Sequence, residues 1–382
     1  MRNYVIIPDS FKGSLSSVEV CRIVEEAIRA VDPVAVVRAI PVADGGEGTV
    51  DAFLAAVGGQ RVPVACMGPY GEPLTACYGR LPDGTAVVEM AAAAGLPLVG
   101  QRRNAELTTT YGVGQLMLHA ARSGAKRLVL ALGGSATNDG GCGAAAAVGV
   151  RFLNREGSTF VPVGATLKDI ARIDVSTMDA ALRGLPVETM CDIDNPLCGA
   201  AGAAAVFGPQ KGADAEMIRR LDDGLAHLAA VIRRELGREV LTLPGGGAAG
   251  GFGAGAAVFF QSPLRAGIDV VLDLTDFDRQ AAQAELIITG EGHLDSQSLR
   301  GKVVVGVARR AKKLGVPVAA LVGGSETDIA AVYGEGVSGV FPINPAPMSL
   351  PEALERCREN LRFTAANLVR FCHAIEEGKG TA

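Results

Sequence analysis

Tyr4-Val5-Ile6-Ile7-Pro8-Asp9-Ser10-Phe11-Lys12-Gly13-Ser14-Leu15-Ser16-Ser17-Val18-Glu19 is the stretch on which the fold turns. Tyr4–Ile7 is a short apolar run suited to a buried strand. Ser16-x-x-Glu19 has the spacing of a capping box, in which hydroxyl and carboxylate each satisfy a backbone N–H at a helix start. Val18, Cys21, Ile23, Val24 and Ile28 carry helical apolar spacing to about Val31, and Asp32-Pro33 stops it. Val34–Val42 reads as a second strand, Asp44-Gly45-Gly46-Glu47-Gly48 as a turn, and the apolar stretch to Val57 as a second helix. The C-terminal part repeats this grammar, with strands at Leu286–Thr289, Val316–Val322 and Val337–Ile343, a helix over 302–314, and a final helix from Pro351 to about Glu377. Strands alternating with helices of this length predict a parallel sheet covered on both faces.

Residues 61–284 have a different character. Residues 61–90 are rich in strand-like runs with turn signals at Gly68-Pro69, Gly71 and Pro82-Asp83-Gly84, followed by a helix around 112–123, a strand at Leu128–Leu132 and a Gly/Ala-rich helix over 141–150. The expected architecture is α/β with two domains. Residues 1–60 and 285–382 form a discontinuous parallel-sheet domain, residues 61–284 an inserted α/β domain with a mixed sheet, and a small ligand binds in the cleft between them.

Composition narrows the function. The 382 residues hold 36 Lys and Arg against 41 Asp and Glu, a net charge of −5 with no basic block, which argues against a nucleic-acid surface. Aromatics are 4 % and Trp is absent, which argues against aromatic stacking platforms for single strands too. No run of 18 apolar residues occurs and the start lacks an export pattern, so a soluble, cytoplasmic protein without a membrane partner is expected. The eight cysteines form no CxxC pair and the four histidines are scattered, so neither a disulfide framework nor a zinc site is expected. The 50 glycines are about twice ordinary usage, without a collagen-like period, and point to a globular protein rich in glycine loops. Self-association is left open.

In open parallel sheets ligands collect beyond the carboxyl ends of the strands, so the loops that follow strands carry the functional information. Here they share a theme: Asp9, Ser10, Lys12; Asp44, Gly45, Gly46, Glu47; Gly133-Gly134-Ser135-Ala136-Thr137-Asn138-Asp139-Gly140-Gly141; Asp192-Ile193-Asp194-Asn195-Pro196; and Gly290-Glu291-Gly292 with Asp295, Gln297 and Lys302. Glycine turns at helix starts expose N–H groups to anions, and carboxylates in the same loops can hold Mg²⁺ against a phosphate. That mixture suits phosphoryl transfer. Each feature also has a plain structural reading: a tight turn at 133–141, helix capping by Asp44 and Glu47, a solvated Lys12, a simple loop at Phe207–Gly212. The DGGxG pattern occurs at 44–48 and 139–143 and reads as one turn device used twice. Gly301-Lys302 lacks the rest of a P-loop, and Gly251–Ala256 matches GxGxxA without a strand before it.

Taken together, Ile7–Ser14, Pro41–Thr49, Leu132–Gly143, Cys191–Leu197, Val206–Gly212, Gly247–Gly253, Ile287–Gln297 and Gly301-Lys302 resemble the type I glycerate kinases, in order over nearly the whole chain. The resemblance implies ATP-dependent phosphorylation of D-glycerate with Mg²⁺, at the 2-hydroxyl in most enzymes of this type, and a flavodoxin-like domain with an inserted one. The alternatives are 3-hydroxyl phosphorylation, a nicotinamide-dependent hydroxyacid dehydrogenase, and a non-catalytic two-domain binding protein. For a glycerate kinase, Asp9, Ser10, Lys12, Asn195, Gly290 and Glu291 are the candidate substrate contacts. Gly133, Gly134, Ser135, Asn138, Asp139, Gly140 and Lys211 are those for ATP. Asp192 is the candidate base, with Lys12 and Lys302 as catalytic cations and Lys211 or Lys302 facing the transferring group. Asp44, Glu47 and Asp295 are the candidate magnesium ligands, with Glu291 a further choice.

Overall fold

The capping box forms as spelled: the Glu19 N–H donates to Ser16 Oγ at 3.3 Å and the Ser16 N–H to Glu19 Oε2 at 3.0 Å. The helix it opens, Ser17–Val31, buries Val20, Cys21, Ile23, Val24, Ala27 and Ile28 on one stripe. The structure, a computed structural model, describes residues 2–43, 45–295, 298–326 and 328–379. Its strands in chain order are β1 (Asn3–Ile6), β2 (Val36–Ala39), β3 (Gln60–Met67), β4 (Pro73–Arg80), β5 (Thr85–Glu89), β6 (Arg127–Ala131), β7 (Arg151–Leu153), β8 (Thr159–Phe160), β9 (Arg172–Asp174), β10 (Val187–Met190), β11 (Leu264–Arg265), β12 (Leu286–Leu294), β13 (Val318–Ser325) and β14 (Gly339–Pro342).

The chain divides into two compact units. One gathers Met1–Asp44, Ala55–Val57 and Ala266–Ala382, the other Gly45–Leu54 and Gly58–Arg265. The first unit is a five-stranded sheet in the order β14-β13-β12-β1-β2 with every neighbour parallel. Renumbered within the unit this is 2-1-3-4-5, the flavodoxin-like order, whose switch point lies between β1 and β12. Alternation along the strands sends Tyr4, Ile6, Ile288 and Leu321 into a core with the helices Ser17–Val31 and Cys357–Lys379. Val5, Ile287 and Ala320 are buried too and point to the opposite face, so these strands are apolar on both sides. The strand expected to end at Thr289 runs on to Leu294. Gly290 permits this: a Cβ there would lie 2.2 Å from the Leu321 carbonyl oxygen, and the β13 pairing continues to Leu294↔Ser325. The single helix expected at the C-terminus is two, Leu350–Glu355 and Cys357–Lys379, because only the second buries an apolar stripe, Leu361, Ala365, Leu368 and Val369.

The second unit has a mixed six-stranded sheet, β11-β10-β6-β5-β4-β3, parallel from β11 to β5 and antiparallel through β4 and β3. A small antiparallel sheet, β8-β7-β9, stands beside it. Tyr78, Val88, Met90, Leu130, Phe152 and Phe252 are among the side chains that fill its core.

Candidate active site

In the first unit the candidate groups gather at the switch point. The Asp9 N–H donates to the Gly290 carbonyl at 2.8 Å, carrying the β1–β12 pairing into the loop. Asp9 Oδ1 accepts the Ser10 N–H at 2.6 Å. Phe11 and Leu15 close a tight turn through Gly13 at φ 81°, which leaves Lys12 exposed at its tip. That turn lies on β12: a Cβ on Gly292 would be 3.3 Å from the Lys12 backbone nitrogen, so glycine lets the loop settle beside Glu291. Glu291 is 6 % exposed, and its Oε1 has no hydrogen-bond partner. Burial pushes its pKa up to about 7, Ser298 pulls the other way, and the charges of Asp9, Lys302 and Asp295 all act on it. Asp295 itself accepts the Ser298 N–H at 3.0 Å, opening the short turn Ser298–Arg300. Lys302 is the N-cap residue of the helix Val303–Leu314. Asp9, Glu291, Asp295 and Lys302 are thus one electrostatic cluster.

In the second unit three loops converge at the carboxyl ends of β6 and β10. The Gly133 N–H donates to the Gly45 carbonyl at 2.7 Å, and a Cβ on Gly133 would lie 2.4 Å from Gly46 Cα. A Cβ on Gly45 would lie 3.3 Å from Met190 Cβ, two residues before Asp192. Asp192 is exposed, and Asn195 Nδ2 donates to the Ala201 carbonyl at 2.9 Å while its own carbonyl accepts the Gly247 N–H. Glu47 is exposed ahead of the helix Thr49–Val57; Asp44 lies outside the described residues.

The loop 133–141 uses its amides internally. Besides Gly133, the N–H groups of Ala136, Gly140 and Gly141 donate to Ala94 O, Gly250 O and Asp139 Oδ1. Gly134 contributes its left-handed φ of 74° and a carbonyl that accepts the Leu96 N–H. Asp139 is fully buried and accepts from the Thr110 N–H and hydroxyl at 2.7 and 2.8 Å, from Gly143 N at 3.2 Å and from Gly141 N at 3.1 Å. Burial raises its pKa and these donors oppose the rise; the carboxylate acts as a side-chain cap for the helix Cys142–Ala147. Lys211, 2 % exposed, donates from Nζ to Ser135 Oγ and to the Thr137 carbonyl, each at 2.7 Å. Burial lowers its pKa to about 7, against the pull of Asp139. It braces the loop from beneath.

What remains without a partner is informative. Asn138 is fully buried with neither amide atom bonded, and the buried Thr137 hydroxyl has no partner. Buried polar groups are nearly always satisfied, and orphans mark a missing ligand or water. Beside them runs a left-handed turn, Ala249 (φ 54°), Gly250 (φ 68°) and Gly251 (φ 89°); a Cβ on Gly250 would lie 2.0 Å from the Thr137 carbonyl oxygen. Such strain in a non-glycine residue concentrates at functional sites. Sequence reasoning did not single out Thr110, Glu89 or Ala249. Glu89 ends β5 and caps the helix Thr49–Val57 through the Val50 N–H; the rule about loops following strands points to it.

A family model described as the glycerate kinase family matches residues 4–373 of the chain. The chain belongs to this family. It is 46 % identical over 366 residues to the glycerate kinase of Bacillus cereus, covering 95 % of this chain and 96 % of that one. It is 41 % identical over 366 residues to the glycerate 2-kinase of Escherichia coli, with 95 % and 96 % coverage. The crystal structure of a candidate glycerate kinase 2 from Salmonella typhimurium LT2 is similar with a TM-score of 0.87 at 42 % identity, over 98 % of this chain and 99 % of that one. A glycerate kinase is an enzyme that acts on a small hydroxyacid by group transfer, so the dehydrogenase and non-catalytic readings give way. Consistently, the GxGxxA motif begins at Gly251 in the left-handed turn and continues into the helical stretch that ends at Phe259, and among the described residues the segment just before it, 244–250, holds no strand.

Proposed function

We propose that the enzyme transfers the terminal phosphoryl group of ATP to the 2-hydroxyl of D-glycerate, giving 2-phosphoglycerate and ADP. The 2-position is supported by the 41 % identity to a protein named for it. The nucleotide assignment rests on one observation, the buried and unpartnered Asn138 amide with the Thr137 hydroxyl beside it at the carboxyl end of β6. Gly133, Gly134, Ser135, Gly140, Asp139 and Lys211 shape that loop, and Asn138 and Thr137 supply its contacts to ATP. Lys12 and Lys302 are the cations for the glycerate carboxylate and the transferring group, with Asp9, Ser10, Asn195, Gly290 and Glu291 assigned to the substrate.

In the transfer the hydroxyl oxygen bonds to the γ-phosphorus, the bond from that phosphorus to the β-bridging oxygen breaks, and the hydroxyl proton passes to a base. Asp192, exposed at the end of β10, is assigned that duty. A second reading gives it to Glu291, favoured by its buried, unpartnered Oε1. Among the described residues no group of three or more His, Cys, Asp or Glu is arranged to hold a metal. Mg²⁺ in phosphoryl-transfer sites is held by one or two carboxylates and the phosphates themselves, a demand that either Glu47 or Asp295 fits by its chemistry. Bound there, the ion would neutralise phosphate charge. Purified enzyme should release ADP from Mg-ATP only when D-glycerate is present. NADH consumption with hydroxypyruvate and no ADP release would overturn the reading.

A further inference from the structure

The sheet of the second unit carries the candidate groups at the carboxyl end of β10, and at the amino end of the same strand it opens on a cavity of about 860 Å³. Met178, Leu182, Leu185, Leu236, Val258 and Phe260 give it an apolar wall. Protein interiors and the seams between elements pack densely, whereas small-molecule sites are concave, mostly apolar and about 300–1,000 Å³ in volume.

The polar groups in the lining have one sign to spare. Glu188 is the acid among the lining residues, and it is bridged by Arg127 at 3.6 Å and Arg265 at 3.2 Å. Arg183 donates from Nε to the Met178 carbonyl at 3.0 Å and from Nη2 to the Ser176 carbonyl at 2.6 Å. Both acceptors are neutral, and its charge acts on Asp179, a carboxylate that it shares with Arg122, so the pair of guanidiniums outnumbers the acid between them. Asp179, four residues before it, accepts from Arg122 at 2.6 Å. Arg238 is exposed on the lining and forms no ion pair with any described residue. The wall is also fixed in place. Gln261 takes a left-handed φ of 53°, the Ser262 N–H donates to Ala256 O at 3.1 Å, and the Ser262 hydroxyl bonds Thr189 of β10 at 2.7 Å. A preformed hollow with an apolar wall, an arginine without an acid partner (Arg238) and a second (Arg183) that must share its acid with Arg122 matches the chemistry of an amphipathic anion.

We propose that this cavity binds a small soluble organic anion with an apolar body, such as a medium-chain or aromatic carboxylate or sulfonate. The inference is independent of the phosphoryl-transfer reading. The test is a fluorescence titration of the full-length enzyme with 1-anilinonaphthalene-8-sulfonate. Saturable enhancement with one site per chain is expected, displaced by octanoate and not by 1-octanol or saturating Mg-ATP. Arg238→Met, at an exposed position whose change leaves the fold intact, should weaken binding at least threefold. Leu185→Trp, which fills the hollow, should abolish it while the melting temperature stays within a few degrees. Absence of enhancement in the parent enzyme, equal affinity in Arg238→Met, or displacement by Mg-ATP would overturn the proposal.

Discussion

Lys211→Met is a substitution whose effect depends on pH in a calculable way. The parent ammonium is 2 % exposed, and burial lowers its pKa from 10.5 to about 7. Its folded-state pKa therefore lies below its unfolded value. Below about pH 7 both states are protonated and the folded state bears the full penalty. Between about 7 and 10.5 only the unfolded chain holds the proton, so the parent gains stability as pH rises. A shift of this size amounts to about 5 kcal/mol at low pH, of which about 3 kcal/mol is relieved between pH 7 and 9.5. Methionine fills similar space without charge, removing the penalty but orphaning Ser135 Oγ and the Thr137 carbonyl, at about 1–3 kcal/mol each. Near pH 7 the two effects offset and the variant should be within about 2 kcal/mol of the parent. By pH 9.5 the parent should have gained about 3 kcal/mol on the variant. Urea unfolding of both proteins at the two pH values measures this, with all other titrating groups cancelling in the difference. Parallel pH dependence of the two proteins would refute the reasoning and return Lys211 to the class of solvated, phosphate-accessible cations.

Asp192→Asn should lower kcat about 100-fold with ATP affinity near normal if Asp192 is the base; near-parental turnover removes the assignment. Glu291→Gln tests the rival base: if Glu291 takes the proton, the acid limb of kcat/KM near pH 7 disappears in this variant and persists in Asp192→Asn. Because the folded pKa of Glu291, about 7, lies above its ordinary 4.5, the stability it contributes is full below 4.5 and lost as pH rises through 7. The parent's advantage over Glu291→Gln should therefore shrink by about 3 kcal/mol between pH 4.5 and 7.5 in urea titrations. Gly250→Ala and Gly237→Ala separate collision from backbone strain. Both glycines are left-handed, but a Cβ at 250 strikes the Thr137 carbonyl while one at 237 meets nothing within 4 Å. The second should cost about 1–2 kcal/mol and the first more than about 3 kcal/mol by calorimetry; equal losses contradict the packing described.

What could be read from the chain was local. The Ser16 capping box was legible because its partners are three residues apart, and the strand–helix alternation because each element carries its own period. The β12 position between β1 and β13 was not legible: Ile6 pairs with Ile288, and no spacing encodes that partnership. The glycine-rich segment 133–141 could be read as a turn after a strand, yet the duty of its members depends on distant partners. Asp139 is held by Thr110, and Lys211 is buried under Ser135. The two DGGxG turns make the point sharply. Both open a helix through a left-handed glycine, but at the fifth position in one, Gly48 (φ 90°), and the third in the other, Gly141 (φ 74°). In the second, Asp139 reaches back over the first turn as a cap. Identical letters thus start a helix in different registers.

Phosphorus NMR of the product made from Mg-ATP and D-glycerate tests the account most directly. It predicts stoichiometric ADP and a single phosphomonoester at the position of 2-phosphoglycerate. A product at the 3-phosphoglycerate position, or ATP left unconsumed with glycerate present, contradicts it.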